Sequence, residues 1–181
     1  MRAAAACAAA ASAGCGGDET PPRPLPLAEM VLQASDLDGA FVEFQRGRVK
    51  ALDPRGESGR YGRRGGWQSG FRRAGSATTA GPLVVTSRVD AFADAAGARR
   101  DLALYRNASR PSLRVRVGSE SFASTRTQRL GANRSRFYTV AWSDGRVTAS
   151  LQVNGFDGRV TLADAERLAR RQQRRIARAL R

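Results

Sequence analysis

The sequence predicts an α+β domain, a single antiparallel sheet of about six strands with helices packed on it. Segments in which apolar and polar residues alternate fall into two groups, each with connections of hairpin length. Segments with apolar residues at helical spacing lie before, between and after these groups. Because hairpin-length connections join antiparallel neighbours, we expect one sheet built from residues 27–181, with its helices on one face.

Five segments of the first half have the spacing of a regular element. Residues 27–37 place apolar side chains at i, i+3, i+4 and i+7, which predicts a short amphipathic helix. Residues 41–52 predict an interrupted strand, and residues 67–72 and 83–89 predict two more because large or β-branched residues alternate with polar ones. Residues 91–106 return to helical spacing and predict a second helix.

The second half contains the most closely specified element, a hairpin over residues 136–154. Asp144 and Gly145 suit the centre of a two-residue turn, because both tolerate positive φ. This turn sets Trp142 opposite Val147, and the apolar residues of both strands then share one face. Two further extended segments precede the hairpin, at residues 113–117 and 121–127.

A third helix is predicted from Leu162 to about Leu180. Thr161 has the features of an N-cap, and Asp164 stands three residues later as its capping-box partner. Apolar residues follow one face of this helix, and arginines follow the other. The arginines are Arg167, Arg170, Arg171, Arg174, Arg175 and Arg178.

The composition excludes several kinds of catalysis. The chain has no histidine, so it has no Ser-His-Asp triad and no His-ligated metal site. Its two cysteines, Cys7 and Cys15, both lie in the N-terminal leader. Carboxylates such as the Asp36–Asp38 pair could serve a hydrolase, but no nucleophile–base pair stands near them. We therefore expect no catalytic residue, no metal site and no cofactor, with a carboxylate-based hydrolase as the third hypothesis.

The first 26 residues indicate export. One arginine precedes an uncharged, Ala-rich stretch that ends in small residues before Cys15, which predicts a signal peptide over residues 1–14 and a lipid anchor on Cys15. Residues 15–26 then predict a flexible, proline-rich tether. The stretch departs from the usual lipobox, because Ser12 stands where leucine is common. Secretion without an anchor and an Ala-rich leader on a cytosolic protein remain the alternatives.

Two arginine-rich features are candidate binding sites. The net charge is +15, which indicates either an anion-binding surface or the codon bias of a genome rich in G and C. In residues 59–75, Arg63 and Arg64 stand near Trp67, an arrangement that can bind nucleic acid through phosphate contacts and base stacking. The favoured alternative is that Trp67 and Phe71 point into the core and the arginines belong to a solvated loop, because aromatic residues at strand spacing are more often core residues. On the last helix, Arg170, Arg174 and Arg178 could contact anionic lipid.

The residues of segments 81–106 and 136–175 resemble those of uncharacterised exported proteins from high-GC Gram-positive bacteria. Their plan is similar to the extracytoplasmic sensor-like domains of actinobacterial lipoproteins and receptor kinases. The resemblance implies an exported location and an α+β fold, and it transfers no catalytic residue. Our first hypothesis is therefore a non-enzymatic extracytoplasmic lipoprotein domain that binds a ligand, envelope component or partner protein. A cytosolic nucleic-acid-binding protein that uses residues 59–75 is the alternative.

Overall fold

The computed structural model describes residues 24–39, 41–49, 61–109 and 113–181. The predicted signal peptide, Cys15 and most of the predicted tether lie outside these residues.

The elements of the described residues follow the predicted order of helix, strands, helix, strands, helix. The strands are Val42–Arg48 (β1), Arg63–Arg72 (β2), Val84–Phe92 (β3), Glu120–Leu130 (β4), Asn133–Asp144 (β5) and Val147–Phe156 (β6). The α-helices are Leu27–Met30 (α1), Ala95–Ser109 (α2) and Leu162–Ala179 (α3), and a short 3₁₀ helix spans Ala34–Asp36.

The strands form one antiparallel sheet in the order β1-β2-β3-β6-β5-β4. The two halves of the chain meet where β3 pairs with β6, along the register from Val84↔Asn154 to Ala91↔Val147. This architecture confirms the predicted fold class, a single antiparallel sheet of six strands with helices packed on it.

The prediction that the helices cover one face is wrong, because they lie on both. Trp142 of β5 faces α3 and donates its indole N–H to Gln173 Oε1 at 2.6 Å. Its neighbour Ala141 points to the opposite face, where it packs with Leu102 of α2. Because successive strand residues point to opposite faces, α1 and α3 lie on one side of the sheet and α2 on the other.

Most of the core lies between the sheet and α3. Val140, Leu151 and Val153 of the sheet pack with Leu168 and Ile176 of α3 in one buried cluster. Burying a side chain of this size contributes about 1.5–3 kcal/mol, so this layer supplies much of the driving force for folding.

The helix predicted for residues 27–37 is also wrong beyond its first turn. Met30, Val31 and Leu32 are all fully buried, and three consecutive buried residues do not fit one helical face. The chain extends across the sheet instead. The Leu32 N–H donates to Ser87 Oγ at 3.0 Å, and Ser69 Oγ donates to the Leu32 carbonyl at 2.9 Å.

Three other predicted segments also differ from the structure in their extent. Helix α2 begins at Ala95 rather than near residue 91, because Ala91 and Phe92 still belong to β3. The alternating residues 113–117 form no regular strand within the described chain and make one isolated bridge, Leu113↔Ala123. β1 continues through Gly47 to Arg48, and its pairing with β2 is irregular at Phe44 rather than at Gly47.

The predicted hairpin is present, but its register is shifted by two residues. Asp144 pairs with Val147 and Trp142 with Ala149, so Gly145 and Arg146 occupy the turn. Gly145 has φ +52°, which places glycine rather than Asp144 at the first left-handed position. A shift of two residues keeps every side chain on its predicted face, because the period of a strand is two.

The third helix is confirmed with its cap. Thr161 Oγ1 accepts a hydrogen bond from the Asp164 N–H, and Asp164 Oδ2 accepts one from the Thr161 N–H at 3.0 Å. The predicted apolar face is buried, and it also includes Gln172, whose Nε2 donates to the Arg88 carbonyl at 3.0 Å.

Candidate anion-binding surfaces

The structure gives the neighbours Arg63 and Arg64 different environments. Arg63 Nε donates to Asp90 Oδ1 at 2.7 Å, and a further Arg63 nitrogen lies 2.6 Å from the same oxygen. The Arg63 side chain is only 7% exposed. Arg88 binds the other side of this carboxylate, with Nε 2.6 Å from Asp90 Oδ2. Arg63 therefore belongs to a buried ion-pair cluster that joins β2 to β3.

Glycine is required beside this cluster. A Cβ added at Gly66 would overlap the Arg63 guanidinium and the Asp90 carboxylate. Gly66, which lies in an arginine-rich segment of the sequence, therefore leaves space for a buried ion pair.

Arg64 is exposed because β2 contains a bulge at this position. Arg63 pairs with Phe92 and Gly65 with Ala91, so Arg64 is the extra residue between two ladder pairs. A bulge redirects a side chain out of the regular alternation. Arg64 has no ion pair with any described residue, and it lines a cavity together with Trp67.

The aromatic residues of the segment from 59 to 75 are not displayed together on an open surface. Phe71 is fully buried on the α1–α3 side of the sheet. Trp67 is partly buried against the same core, and residues 59 and 60 lie outside the described residues. A stacking platform for successive bases requires exposed rings, and Phe71 does not supply one.

The arginines of α3 divide into two groups. Arg171 and Arg175 hold the N-terminal segment of the domain against the helix. Arg171 pairs with Asp38 at 3.2 Å, and Arg175 Nε donates to the Glu29 carbonyl at 3.0 Å. These two arginines are structural, because they satisfy backbone carbonyls in a segment with little regular structure.

The other group is an exposed row of Arg170, Arg174 and Arg178, which we call the arginine row. Its members stand at i, i+4 and i+8, so they share one face of α3 over about 12 Å. Arg170 lies 3.2 Å from Glu166, with its side chain 57% exposed. Arg174 and Arg178 make no ion pair with a described residue.

Two arginines that the sequence analysis did not select extend this row. Arg114 and Arg116 are exposed, and they line the same surface depression as Glu166 and Arg170. They alternate with the inward residues Val115 and Val117, a pattern that could have identified them. The arginine row together with Arg114 and Arg116 is called the basic surface below.

The C-terminal end of the arginine row lies near the start of the described chain. Glu29 of α1 lines a small depression together with Arg175, Arg178 and Ala179 at the end of α3. The last arginine of the row is therefore close to the point where the chain enters the domain.

The carboxylates considered for a hydrolase have structural partners instead. These contacts are Asp36 with Arg175, Asp38 with Arg171, Asp90 with Arg63, Asp94 with the Gly97 N–H, and Asp101 with Thr148. Among the described residues, no three acidic side chains are grouped to hold a metal ion.

None of the described helices combines the length and the apolar composition needed to cross a bilayer.

No protein-family model matches the chain. No curated protein matches it either. One solved structure with a similar fold is the extracellular domain of PknH from Mycobacterium tuberculosis. The TM-score is 0.54 at 10% sequence identity, and the alignment covers 84% of this chain and 95% of that one. At this identity the likeness shows a shared fold.

Proposed function

We propose that this chain is a non-enzymatic extracytoplasmic domain that is anchored by a lipid on Cys15 and lies with its basic surface on anionic lipid head groups. The single observation that carries the proposal is the exposed arginine row beside the start of the domain. The Ala-rich leader and the similar fold of an extracellular domain from PknH support the location.

The anchor and the arginine row can reach the same membrane together. From Cys15 to Pro24 the chain spans at most about 30 Å when fully extended. The domain begins beside the C-terminal end of α3, where Arg178 lies. The anchor would thus keep the domain near the membrane surface. Arg170, Arg174 and Arg178 could then contact the anionic head groups.

The two contacts have different roles. A lipid on Cys15 holds the domain at the membrane, and the arginine row determines which face of the domain lies on it. Each arginine near an anionic surface contributes about 1 kcal/mol. The three arginines of the row therefore supply about 3 kcal/mol, which is roughly a hundredfold in affinity.

We expect the arginine row to determine binding to anionic vesicles. The full chain with Cys15→Ser, which removes the acylation site, should bind vesicles of phosphatidylglycerol and phosphatidylcholine in a cosedimentation assay. Replacing Arg170, Arg174 and Arg178 with Gln should weaken this binding by roughly a hundredfold.

The matched control replaces Arg99, Arg100 and Arg129 with Gln. These three exposed arginines lie on α2 and β4, outside the basic surface, and their loss changes the net charge equally. Retained binding in this control supports a specific surface. Equal weakening in both triple variants would contradict it, because binding would then follow net charge alone.

We expect the anchor to be visible in the producing cell. Mass spectrometry of the membrane fraction should find a chain that begins at an acylated Cys15, and Cys15→Ser should move the protein out of that fraction. An unmodified Met1 terminus in the soluble cytosolic fraction would exclude export and anchoring together.

A further inference from the structure

A cavity of about 550 Å³ opens where the domain begins. Four segments that are distant in sequence contribute to its lining: the chain around α1, the end of β1, the start of β2 and Ala91 of β3. Leu25, Leu27, Val49 and Trp67 supply apolar walls. Its volume lies within the range of small-molecule sites, about 300–1,000 Å³.

Two arginines that have no acidic partner among the described residues stand on the lining of this cavity. Arg48 ends β1, and Arg64 is the extra residue of the β2 bulge. Both are exposed, and neither forms an ion pair with a described residue. Of the lining residues that the structure describes, only Glu29 is acidic. The lining is therefore apolar with a net positive charge, a combination that suits an anion carrying an apolar group.

Trp67 adds an aromatic ring to the lining, and the described part of the chain offers its indole nitrogen no partner. Its indole Nε1 is buried and has no hydrogen-bond acceptor among the described residues. Leaving a buried donor unsatisfied costs about 1–3 kcal/mol. The other tryptophan, Trp142, has its acceptor in Gln173. The Nε1 atom is closed to solvent, so a ligand in the cavity would contact the Trp67 ring rather than this nitrogen.

We infer that this cavity binds one small anionic amphiphile. Arg48 and Arg64 hold its carboxylate, sulfonate or phosphate group, and its apolar part lies against Leu25, Leu27, Val49 and Trp67. This binding site uses none of the residues of the basic surface, so it is independent of the membrane contact proposed above.

The inference can be tested by calorimetric titration of the full chain with dodecyl phosphate below its critical micelle concentration. We expect one saturable site. Replacing Arg48 and Arg64 with Gln should weaken the affinity by roughly 10- to 100-fold, because charge-assisted hydrogen bonds are lost. Affinity for uncharged dodecanol should change less than twofold between the two proteins.

The matched control is the Arg99→Gln, Arg100→Gln double variant, which loses the same charge on α2 and should keep the affinity. A second variant, Gly65→Val, keeps both arginines and narrows the cavity. A Cβ at Gly65 would lie 3.7 Å from Leu27 Cδ1, an ordinary contact, so the added methyl groups occupy the cavity without a backbone clash.

Gly65→Val should therefore weaken dodecyl phosphate binding at least tenfold while leaving vesicle binding unchanged. Failure of the vesicle test leaves this expectation intact, since different residues are involved. Unchanged dodecyl phosphate affinity in either cavity variant would overturn the inference, as would binding of many molecules without saturation.

Discussion

Replacing Asp90 with Asn is expected to lower the free energy of unfolding by about 3–5 kcal/mol. The Asp90 side chain is 5% exposed and receives hydrogen bonds from Arg63 and Arg88. Asn has nearly the same shape, but it is neutral and presents an amide N–H₂ in place of one carboxylate oxygen. The Arg63 guanidinium then stays buried without a counter-charge, which is far more costly than losing an exposed pair.

Urea unfolding followed by circular dichroism measures this loss, and the melting temperature should fall by roughly 10 °C. Asp38→Asn is the matched control, because Asp38 pairs with Arg171 but its side chain is 72% exposed. An exposed pair contributes only about 0–1 kcal/mol. Similar losses in the two variants would show that the Asp90 cluster does not stabilise the sheet as described.

Replacing Trp142 with Ala should cost a similar amount, about 3–5 kcal/mol. Trp142 is fully buried at the centre of the α3 face, and its indole N–H donates to Gln173, which in turn donates to Asp144. Truncation removes a large apolar surface, leaves a void between β5 and α3, and leaves Gln173 Oε1 without its donor.

The same substitution at Trp67 provides the comparison. Trp67 is only partly buried, and its Nε1 has no acceptor among the described residues, so Trp67→Ala loses less apolar burial and no hydrogen bond to the described part of the chain. Urea unfolding of both variants should show the larger loss for Trp142→Ala. A larger loss at Trp67 would mean that the core is centred near α1 rather than near α3.

The elements that the sequence predicts correctly are those in which several local sequence patterns specify the same structure. The capping box at Thr161 and the apolar stripe of α3 specify the same helix, and the structure contains both. The hairpin faces were also predicted correctly, although the turn centre was placed one residue early. A shift of two residues conserves the alternation of apolar and polar side chains, so the pattern alone could not distinguish the two registers.

The environments of the candidate site residues could not be predicted from the sequence. Arg63 and Arg64 are adjacent and identical in type, yet one is buried against Asp90 and the other is exposed beside a cavity. The difference comes from a bulge and from a carboxylate 27 positions away in the chain. Nothing in the local sequence around residues 59–75 indicates either of them.

The order and type of the elements, the positive charge and the absence of histidine can all be read from the amino-acid sequence. These properties depend on composition and on short-range periodicity, which the order of residues contains directly. Three features depend instead on long-range packing. They are the partner of each arginine, the placement of α2 on the opposite face of the sheet, and the cavity that Leu25, Val49 and Arg64 line together. Those contacts form only when the sheet brings distant segments together, because burial and pairing are properties of neighbours in space.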